Sequence, residues 1–493
     1  MEYIVGVDIG TGSVKAVAVD LSGNSFEVDQ QHYSYQSQQP DYHEQDAEEI
    51  WLSFQKSLQA IVQKIGYQPK AISLSAAMHS VIAVDESGNA LSPMITWADS
   101  RSAAVAKKLK NSSTGLAIYQ ATGTPIHAMS PLCKLIWLKE NDQELFKTTH
   151  KFISIKEYIW FKLFKEFVID YSIASCTGMF DIEALTWHLP ALTLAGIASS
   201  KLSLPVPTNY CSKTPALNMS FLNEDIPFII GASDGCLANL GCMAYHPGQA
   251  VMTIGTSGAI RIASNKPLPN TEAMTFSYIL DKDTYICGGP INNGGITLQW
   301  WLKNHEDQEL DDDDFDSYFK QIQEIPAGSN GLLFLPYLTG ERAPIWDSES
   351  CGTFFGVKLA HQKTHFSRAV LEGVCYAMKD VLEAVQVNAA PIKQIYISGG
   401  FVKSEVWVQL LANITGKELV IVQTEDASAI GAAFLAMKTL NLIQVYPEVM
   451  ASDFEIIKPD LSLTAFYLKN FTIFKKVYFD LKETMHEFHL LNH

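Results

Sequence analysis

The sequence has 493 residues, and its 53 acidic and 36 basic side chains give a formal net charge of −17 at pH 7. A chain of this length exceeds the size at which one hydrophobic core keeps growing, so we expect two or three domains. The negative charge argues against a nucleic-acid partner, which needs a basic face. Because no apolar run is long enough to span a bilayer and no signal-peptide pattern is present, we expect a cytoplasmic protein without a membrane partner.

The first half of the chain predicts a domain that mixes strands and helices. Apolar runs predict strands at residues 3–7, 14–19, 71–75 and 81–84. Asp46 with Glu49 three residues later predicts the start of a helix, and Gly66 predicts its end after one apolar stripe. This alternation indicates an α/β fold with a buried sheet.

The second half of the chain repeats this organisation. Strands are predicted at residues 285–288 and 395–398, and helices at residues 364–385, from Ser404 and after Asp426. The last of these helices contains small residues that suit close packing, namely Ala429, Gly431, Ala432 and Ala433. A turn at residues 245–248 predicts the boundary, so we expect an N-terminal domain over 1–246 and a C-terminal domain over 247–493 with a helical tail.

A glycine-threonine turn occurs twice, in residues 7–17 and 252–262. Each segment predicts a strand, a turn of small residues and a second strand. Small residues let a phosphate approach the backbone, and clustered amides bind anions. Two ordinary glycine-rich hairpins are the alternative, but the matched pair favours two related domains that bind one nucleotide. The predicted phosphate contacts are Gly10, Thr11, Gly12, Ser13, Gly255, Thr256 and Ser257.

Further loops allow close approach to a nucleoside in the second half. The predicted contacts there are Asn293, Gly294, Gly399, Gly400 and Ser404.

Asp8 precedes the first turn, where the second turn has Thr253. One carboxylate beside a polyphosphate suits Mg²⁺, which keeps waters and takes one or two protein carboxylates. A turn-capping aspartate is the alternative. Lys15 follows the loop and is in reach of a phosphate as a point charge, although an exposed strand lysine explains it equally well.

Asp234 follows the apolar strand at residues 227–230 and has small neighbours. Phosphoryl transfer needs positioning, charge neutralisation and a group that takes the proton of the acceptor hydroxyl. Asp234 is the candidate general base and a candidate metal contact. A helix N-cap is the competing interpretation.

Two short segments carry groups that are common in sugar sites. Met78 and His79 interrupt two predicted strands, and Trp97 and Arg101 place an aromatic ring and a cation close together. A surface ion pair of Arg101 with Asp99 explains the second segment equally well.

Two longer segments show a family resemblance. Residues 129–138, and residues 352–357 continuing to 365–372, resemble the two signatures of the FGGY carbohydrate kinases. The resemblance extends from residue 1 to about residue 440. It implies two actin-like, ribonuclease-H-like domains, with a sugar and ATP in the cleft between them.

The resemblance also implies roles for individual residues. Asp234 would be the base, Asp8 would act near Mg²⁺, and His79 and Asp234 would touch the sugar. Thr11, Thr256 and Gly400 would lie along the nucleotide. A homodimer is implied by the resemblance alone.

Three segments resemble those of family members that act on gluconate, namely residues 95–101, 172–178 and 231–241. We therefore expect transfer of the γ-phosphoryl group to the 6-hydroxyl of D-gluconate. The substrate carboxylate then needs a cation, and Arg101 and Lys156 are the candidates. Ser80 departs from the Met-His-Gly of xylulose kinases, which argues against that sugar.

Three alternatives stay open. The first is a kinase for xylulose or another pentulose. The second is an actin- or chaperone-like ATPase, which the two signatures disfavour. The third is a sugar sensor without catalysis, against which the presence of Asp8 and Asp234 argues.

Overall fold

The computed structural model describes residues 2–35, 39–213, 219–223, 225–305, 312–422, 426–448 and 454–492. Helices and strands alternate along the chain, as the sequence predicts. The strands are β1 (Tyr3–Ile9), β2 (Ser13–Asp20), β3 (Ser25–His32), β4 (Glu44–Gln45), β5 (Ala71–Ala76), β6 (Ile82–Val84), β7 (Met94–Ile95), β8 (Lys151–Ile153), β9 (Val168–Asp170), β10 (Phe180–Asp181), β11 (Thr186–Trp187), β12 (Leu204–Val206), β13 (Cys211–Ser212), β14 (Phe228–Ser233), β15 (Gln249–Ile254), β16 (Gly258–Ser264), β17 (Phe276–Asp281), β18 (Thr284–Ile291), β19 (Leu333–Leu335), β20 (Thr353–Phe355), β21 (Gln394–Ser398), β22 (Glu418–Ile421) and β23 (Ile456–Ile457).

The α-helices are α1 (Ala47–Ile65), α2 (Ala103–Lys110), α3 (Ser113–Thr122), α4 (Pro131–Asn141), α5 (Gln143–Thr148), α6 (Ile155–Phe164), α7 (Tyr171–Ser175), α8 (Leu189–Ala195), α9 (Asp234–Gly241), α10 (Gly295–His305), α11 (Asp312–Glu324), α12 (Lys363–Gln386), α13 (Glu405–Thr415), α14 (Ala427–Thr439) and α15 (Leu461–Asn492). Within the described ranges, none of them has both the length and the hydropathy needed to cross a bilayer.

The chain divides into two compact units. Unit 1 consists of Met1–Tyr245, Ala263–Cys287 and Asp426–Val449, and unit 2 of His246–Ile262, Gly288–Glu425 and Met450–His493. The units differ from the division 1–246 and 247–493 expected from the sequence, because the chain returns to unit 1 twice. The second return supplies α14, which completes a core of unit 1.

Unit 1 is built on a six-stranded sheet in the order β13–β14–β5–β1–β2–β3. β1 pairs antiparallel with β2 and parallel with β5, and β5 pairs parallel with β14. The odd-numbered residues of β1 from Tyr3 to Ile9 pack with α1 and α6, whereas Ile4 packs with α9 and α14. Since side chains alternate across a strand, helices cover both faces of this sheet.

Helix α14 lies directly against β1 and α9. A Cβ atom at Gly6 would stand 1.9 Å from the carbonyl oxygen of Ala429, and one at Gly431 would stand 2.0 Å from that of Leu237. The close packing expected from the small residues of this helix is therefore confirmed. It brings the start of α14 beside the end of β1, where the candidate site lies.

Unit 2 contains a sheet in which β15 pairs antiparallel with β16 and parallel with β21. β22 continues the parallel pairing, and β23 closes it antiparallel. The order β16–β15–β21–β22 repeats the arrangement β2–β1–β5–β14 of unit 1, a hairpin followed by two parallel strands. The helical tail expected at the end is α15, whose Tyr467 hydroxyl bonds to Arg368 and Glu372 of α12.

Candidate active site

Three neighbouring parallel strands of unit 1 end at the same edge of the sheet. In the pairing of β1, β5 and β14, Asp8 lies opposite Ser75, and Ser233 lies opposite Ala76. Asp234 is the next residue after Ser233. Adjacent strands are about 4.8 Å apart, so the ends that carry Asp8 and Asp234 are about 10 Å apart. Open α/β sheets bind their ligands at this edge.

Asp234 is the first residue of α9 and is half-buried. The N-cap of this helix is Ser233, whose Oγ accepts a hydrogen bond from the amide of Cys236. The Oδ1 atom of Asp234 accepts one from Gly235 N at 2.6 Å. The capping role considered for Asp234 thus belongs to its neighbour. A carboxylate in the first turn of a helix is stabilised in its ionised form, as a proton acceptor requires.

Asp8 is held by hydroxyl groups. Ser75 Oγ donates to Asp8 Oδ1 at 2.7 Å, and the Ser428 hydroxyl at the start of α14 also bonds to this carboxylate. Burial raises the pKa of Asp8, and these two hydroxyls and the charge of Lys15 oppose that rise. The donor set is oxygen-rich and fits a hard cation bound mainly through water. No group of three or more acidic, His or Cys side chains that could hold a metal directly occurs among the described residues.

Lys15 stands directly opposite Asp8 across the β1–β2 pair. Its ammonium lies 2.7 Å from Asp426 Oδ1. The structure therefore gives Lys15 a carboxylate partner, Asp426, the N-cap residue of α14, whereas the sequence left a phosphate contact and an exposed strand lysine as alternatives.

The first glycine loop, residues 10–13, leaves two backbone amides available. Gly10 N donates to Ser13 O at 3.0 Å, whereas the amides of Thr11 and Gly12 have no acceptor within the described part of the chain. A Cβ atom at Gly12 would meet no atom within 4 Å. Ser13 Oγ accepts from the side chain of Gln30 at 2.8 Å. Two free amides beside open space make the kind of concavity that binds a phosphate.

The second glycine loop, residues 255–257, has one residue fewer. Ile254 pairs with Gly258, whereas Ile9 pairs with Val14 in the first hairpin. The amides of Thr256 and Ser257 find no acceptor in the described ranges, and a Cβ atom at Gly255 would also meet open space. The two loops therefore offer similar amide groups on hairpins of different length.

Glycines pack around the second loop. A Cβ atom at Gly294 would stand 2.5 Å from Ser257 O, and one at Gly399, whose φ is 110°, would stand 2.4 Å from Ile254 O. Gly400 follows and faces open space. Unit 2 thus packs Gly294 and Gly399 against the second loop, and Gly400 follows directly in the chain; their contact with a nucleotide stays a prediction.

The side chains of two predicted nucleotide contacts, Asn293 and Ser404, form hydrogen bonds within the protein. Asn293 is fully buried: its Nδ2 donates to Gly340 O and Glu341 Oε2, and its Oδ1 accepts from the amide and hydroxyl of Thr339. Ser404 is the N-cap of α13 and accepts from the amide of Trp407. The side chain of Asn293 has no donor left for a nucleotide.

Met78 and Trp97 line a small pocket in unit 1 together with the first loop. The other lining residues are Gly10, Thr11, Gln45, Ile50, Ala77, Ser80, Met94, Thr96 and Ile155. Trp97 Nε1 donates to Thr11 Oγ1 at 3.0 Å. This contact ties the predicted sugar segment to the predicted phosphate loop.

His79 is buried and lines a second pocket with Ser80 and Val81. Its Nδ1 donates to Cys176 O at 2.8 Å, and its Nε2 lies 3.5 Å from the hydroxyl of Tyr278. Its carbonyl oxygen accepts from the buried ammonium of Lys134 at 2.6 Å. Both ring nitrogens of His79 thus contact protein groups.

The two cations expected to bind a carboxylate are occupied by other groups. The Arg101 guanidinium is bound by both carboxylate oxygens of Asp99 and by Glu44, and its carbon lies 3.6 Å from the centre of the Tyr42 ring. Lys156 is buried and uses its three protons on Asp170 Oδ2 and the carbonyls of residues 230 and 232. Neither the pairing of Lys156 nor that of Arg101 with Glu44 could be inferred from residue type, because their partners lie far away in sequence.

Sequence reasoning missed four residues that shape these sites, namely Gln45, Ser75, Lys134 and Glu341. Lys134 lies inside a family signature, but its spacing does not reveal that it binds two carbonyls. The others follow no pattern in the sequence.

Comparisons with known proteins identify the family. Residues 3–241 match the N-terminal domain, and residues 250–440 the C-terminal domain, of the FGGY family of carbohydrate kinases. The chain is 41% identical over 464 residues to a gluconokinase of Bacillus subtilis, with 91% of this chain and 89% of the relative covered.

Two solved structures from Lactobacillus acidophilus are similar over nearly the whole chain. A gluconate kinase superposes with a TM-score of 0.93, and a ligand-bound xylulose kinase with a TM-score of 0.94. Each of the two is 33% identical to this chain, and each alignment covers 99% of this chain. The alignments cover 99% of the gluconate kinase and 100% of the xylulose kinase. The predicted fold class, α/β with two actin-like domains, is confirmed. The chain therefore belongs to the FGGY family of carbohydrate kinases, phosphotransferases that have an alcohol group as acceptor.

Proposed function

We propose that this protein transfers the γ-phosphoryl group of ATP to the 6-hydroxyl of D-gluconate, giving 6-phospho-D-gluconate and ADP. The likeness to the B. subtilis gluconokinase over nine-tenths of the chain carries the choice of sugar. The half-buried carboxylate of Asp234, at the sheet edge where the parallel strands end, supports proton acceptance from the sugar hydroxyl.

In the proposed reaction, Asp234 accepts the proton of the 6-hydroxyl as its oxygen bonds to the γ-phosphorus. The bond between that phosphorus and the bridging oxygen breaks, and ADP leaves with the electron pair. Asp8 would hold Mg²⁺ through water, and the ion would supply neutralisation of phosphate charge. The free amides of the two glycine loops would bind phosphate oxygens. Exclusion of water from the reacting groups would suppress hydrolysis of ATP.

The test is ADP production by the purified protein with Mg-ATP and gluconate, xylulose, ribulose, glycerol, fuculose or no sugar. ADP formed with gluconate alone, and a phosphate ester at the 6-position by NMR, would support the proposal. Asp234→Asn should keep the fold and ATP binding and lower kcat by about 10²–10⁴-fold, because a general base contributes that much. Near-normal turnover in this variant would exclude Asp234 as the base.

A pentulose kinase is the second candidate, supported by the likeness to the L. acidophilus xylulose kinase at the same identity as to the gluconate kinase. A pentulose as best substrate would keep the mechanism and overturn the choice of gluconate. ADP formation that no sugar affects would contradict both. The cytoplasmic location, the homodimer and the need for Mg²⁺ stay predictions.

A further inference from the structure

Gln45 is a buried amide beside the first glycine loop, and one of its two polar side-chain atoms is paired while the other is not. It lies in β4, which pairs with β7, and its side chain is only 1% exposed. Its Nε2 donates to Thr11 O at 2.7 Å. Because a carbonyl oxygen only accepts, this contact fixes which amide atom is the nitrogen. The Oε1 atom is buried and has no partner among the described residues.

An unpaired buried acceptor is unusual and unfavourable. Buried side-chain oxygens are paired in the great majority of cases, and one without a partner bears its full desolvation penalty. No capping or turn contact uses the Oε1 atom of Gln45. A bound molecule with a hydroxyl donor would pair it.

The surroundings of Gln45 suit such a molecule. It lines the small pocket with Thr11, Met78, Thr96 and Trp97, so polar groups and an aromatic ring stand beside it. Polar groups beside an aromatic face are typical of sugar sites.

The pocket walls are held by protein contacts. The Lys134 ammonium donates to His79 O at 2.6 Å and to Thr96 O at 2.7 Å, which joins the two wall segments. Trp97 is fixed on Thr11 Oγ1. A site that is formed before its ligand arrives loses little conformational entropy on binding.

We propose that Gln45 is a substrate-binding residue: its Oε1 accepts a hydrogen bond from a hydroxyl group of the sugar acid, while its Nε2 holds the glycine loop at Thr11. The identity of the ligand rests on the proposed function. One side chain then joins the substrate to the loop that would hold the phosphates.

The test combines Gln45→Met, which keeps the length of the side chain, with D-gluconate analogues that each lack one hydroxyl from C2 to C5. For gluconate, the variant should lose roughly 10–100-fold in kcat/KM. In the wild type, one of the analogues should have a kcat/KM lower than that of gluconate by a comparable factor. That analogue should lose little in Gln45→Met, because the group that bound the missing hydroxyl is already gone. If the kcat/KM of every analogue, relative to gluconate, falls by the same factor in the wild type and in Gln45→Met, then Gln45 contacts no substrate hydroxyl and the proposal is overturned.

Gln68→Met is the matched control, since both amide atoms of Gln68 are paired within the protein. It should show no analogue-dependent loss. Should Gln45→Met fail to fold, Gln45→Glu keeps an acceptor oxygen and should retain the wild-type ranking of the analogues; a flattened ranking would overturn the proposal. Absence of gluconate phosphorylation by the wild type would instead contradict the proposed function, and deoxy analogues of the preferred sugar would then test Gln45.

Discussion

The ammonium of Lys156 and the carboxylate of Asp170 lie 2.8 Å apart, and each side chain is 1% exposed. The other two protons of the ammonium go to the carbonyl oxygens of Ile230 and Ala232. Ala232 lies on β14, two residues before Asp234. Lys156 therefore supports the strand that leads into the proposed base, and it has no proton left for a substrate carboxylate.

Replacement of Lys156 should destabilise the protein. Lys156→Met leaves the Asp170 carboxylate buried without its counter-charge, and we expect the free energy of unfolding to fall by about 3–5 kcal/mol. Urea unfolding measures this change. The double variant with Asp170→Asn, which keeps an oxygen for the Ile173 amide, should recover part of the loss. If Lys156→Met instead has normal stability and a much higher KM for gluconate, the prediction that Lys156 binds the substrate carboxylate would be supported.

Replacement of Arg101 should also affect stability more than substrate affinity. Its side chain is 6% exposed and bidentate to Asp99, a geometry that lysine cannot reproduce. We expect Arg101→Lys to cost about 1–3 kcal/mol of unfolding free energy, with little change in the KM for gluconate. Parallel unfolding and steady-state measurements check this. A KM increase of tenfold or more at unchanged stability would contradict it.

Lys134 predicts a pH-dependent term in stability. Burial lowers its pKa from the ordinary value of 10.5 to about 7. Below pH 7 the lysine is protonated in both states; between pH 7 and 10.5 the unfolded chain binds the extra proton, so stability rises with pH. The slope is at most about 1.4 kcal/mol per pH unit. The Lys134→Met variant should lack this slope. It should be less stable than the wild type at every pH, because the carbonyls of His79 and Thr96 lose their donor.

The measurement is urea unfolding of wild type and Lys134→Met from pH 7 to 9.5. The stability of the wild type relative to the variant should increase across this range. Lys108→Met, at an exposed position of α2, controls for the removal of one positive charge. A constant difference between wild type and Lys134→Met would mean that Lys134 keeps its ordinary pKa.

Local features of the fold could be predicted because neighbouring residues determine them. Asp46 is the N-cap of α1, and Gly66 ends it with a φ of 82°, as predicted from their residue types. The helix predicted at residues 364–385 is α12, Lys363–Gln386. The return of the chain to unit 1 could not be predicted, since it depends on packing between α14 and β1.

The site divides in the same way. The glycine loops were recognised because their residues are contiguous. The partners of Arg101 and Lys156 include groups 57 and 76 residues away, so residue type alone could not separate a ligand contact from a buried ion pair. Gln45 was missed because a single glutamine carries no spacing signal, and only the position of its unpaired oxygen in the pocket beside the first glycine loop distinguishes it.

The open glycines of the two loops provide a test of phosphate binding. Neither Gly12 nor Gly255 has a positive φ, and a Cβ atom at either would touch no protein atom. Gly12→Ala and Gly255→Ala should therefore leave stability unchanged or raise it by about 0.4–1 kcal/mol. If ATP phosphates approach these backbones closely, as proposed, the added methyl groups should raise the KM for ATP. Unchanged ATP kinetics in both variants would mean that the phosphates lie elsewhere.

Gly294→Ala is the contrasting variant, because its methyl group would press on Ser257 O from within the protein. It should lower both stability and ATP affinity, whereas the two open-loop variants should lower ATP affinity alone. Thermal unfolding with and without ATP, together with steady-state kinetics, separates these outcomes. No protein atom among the described residues requires a glycine at position 12 or 255. A selective loss of ATP affinity in the alanine variants would show that close approach of a phosphate requires it.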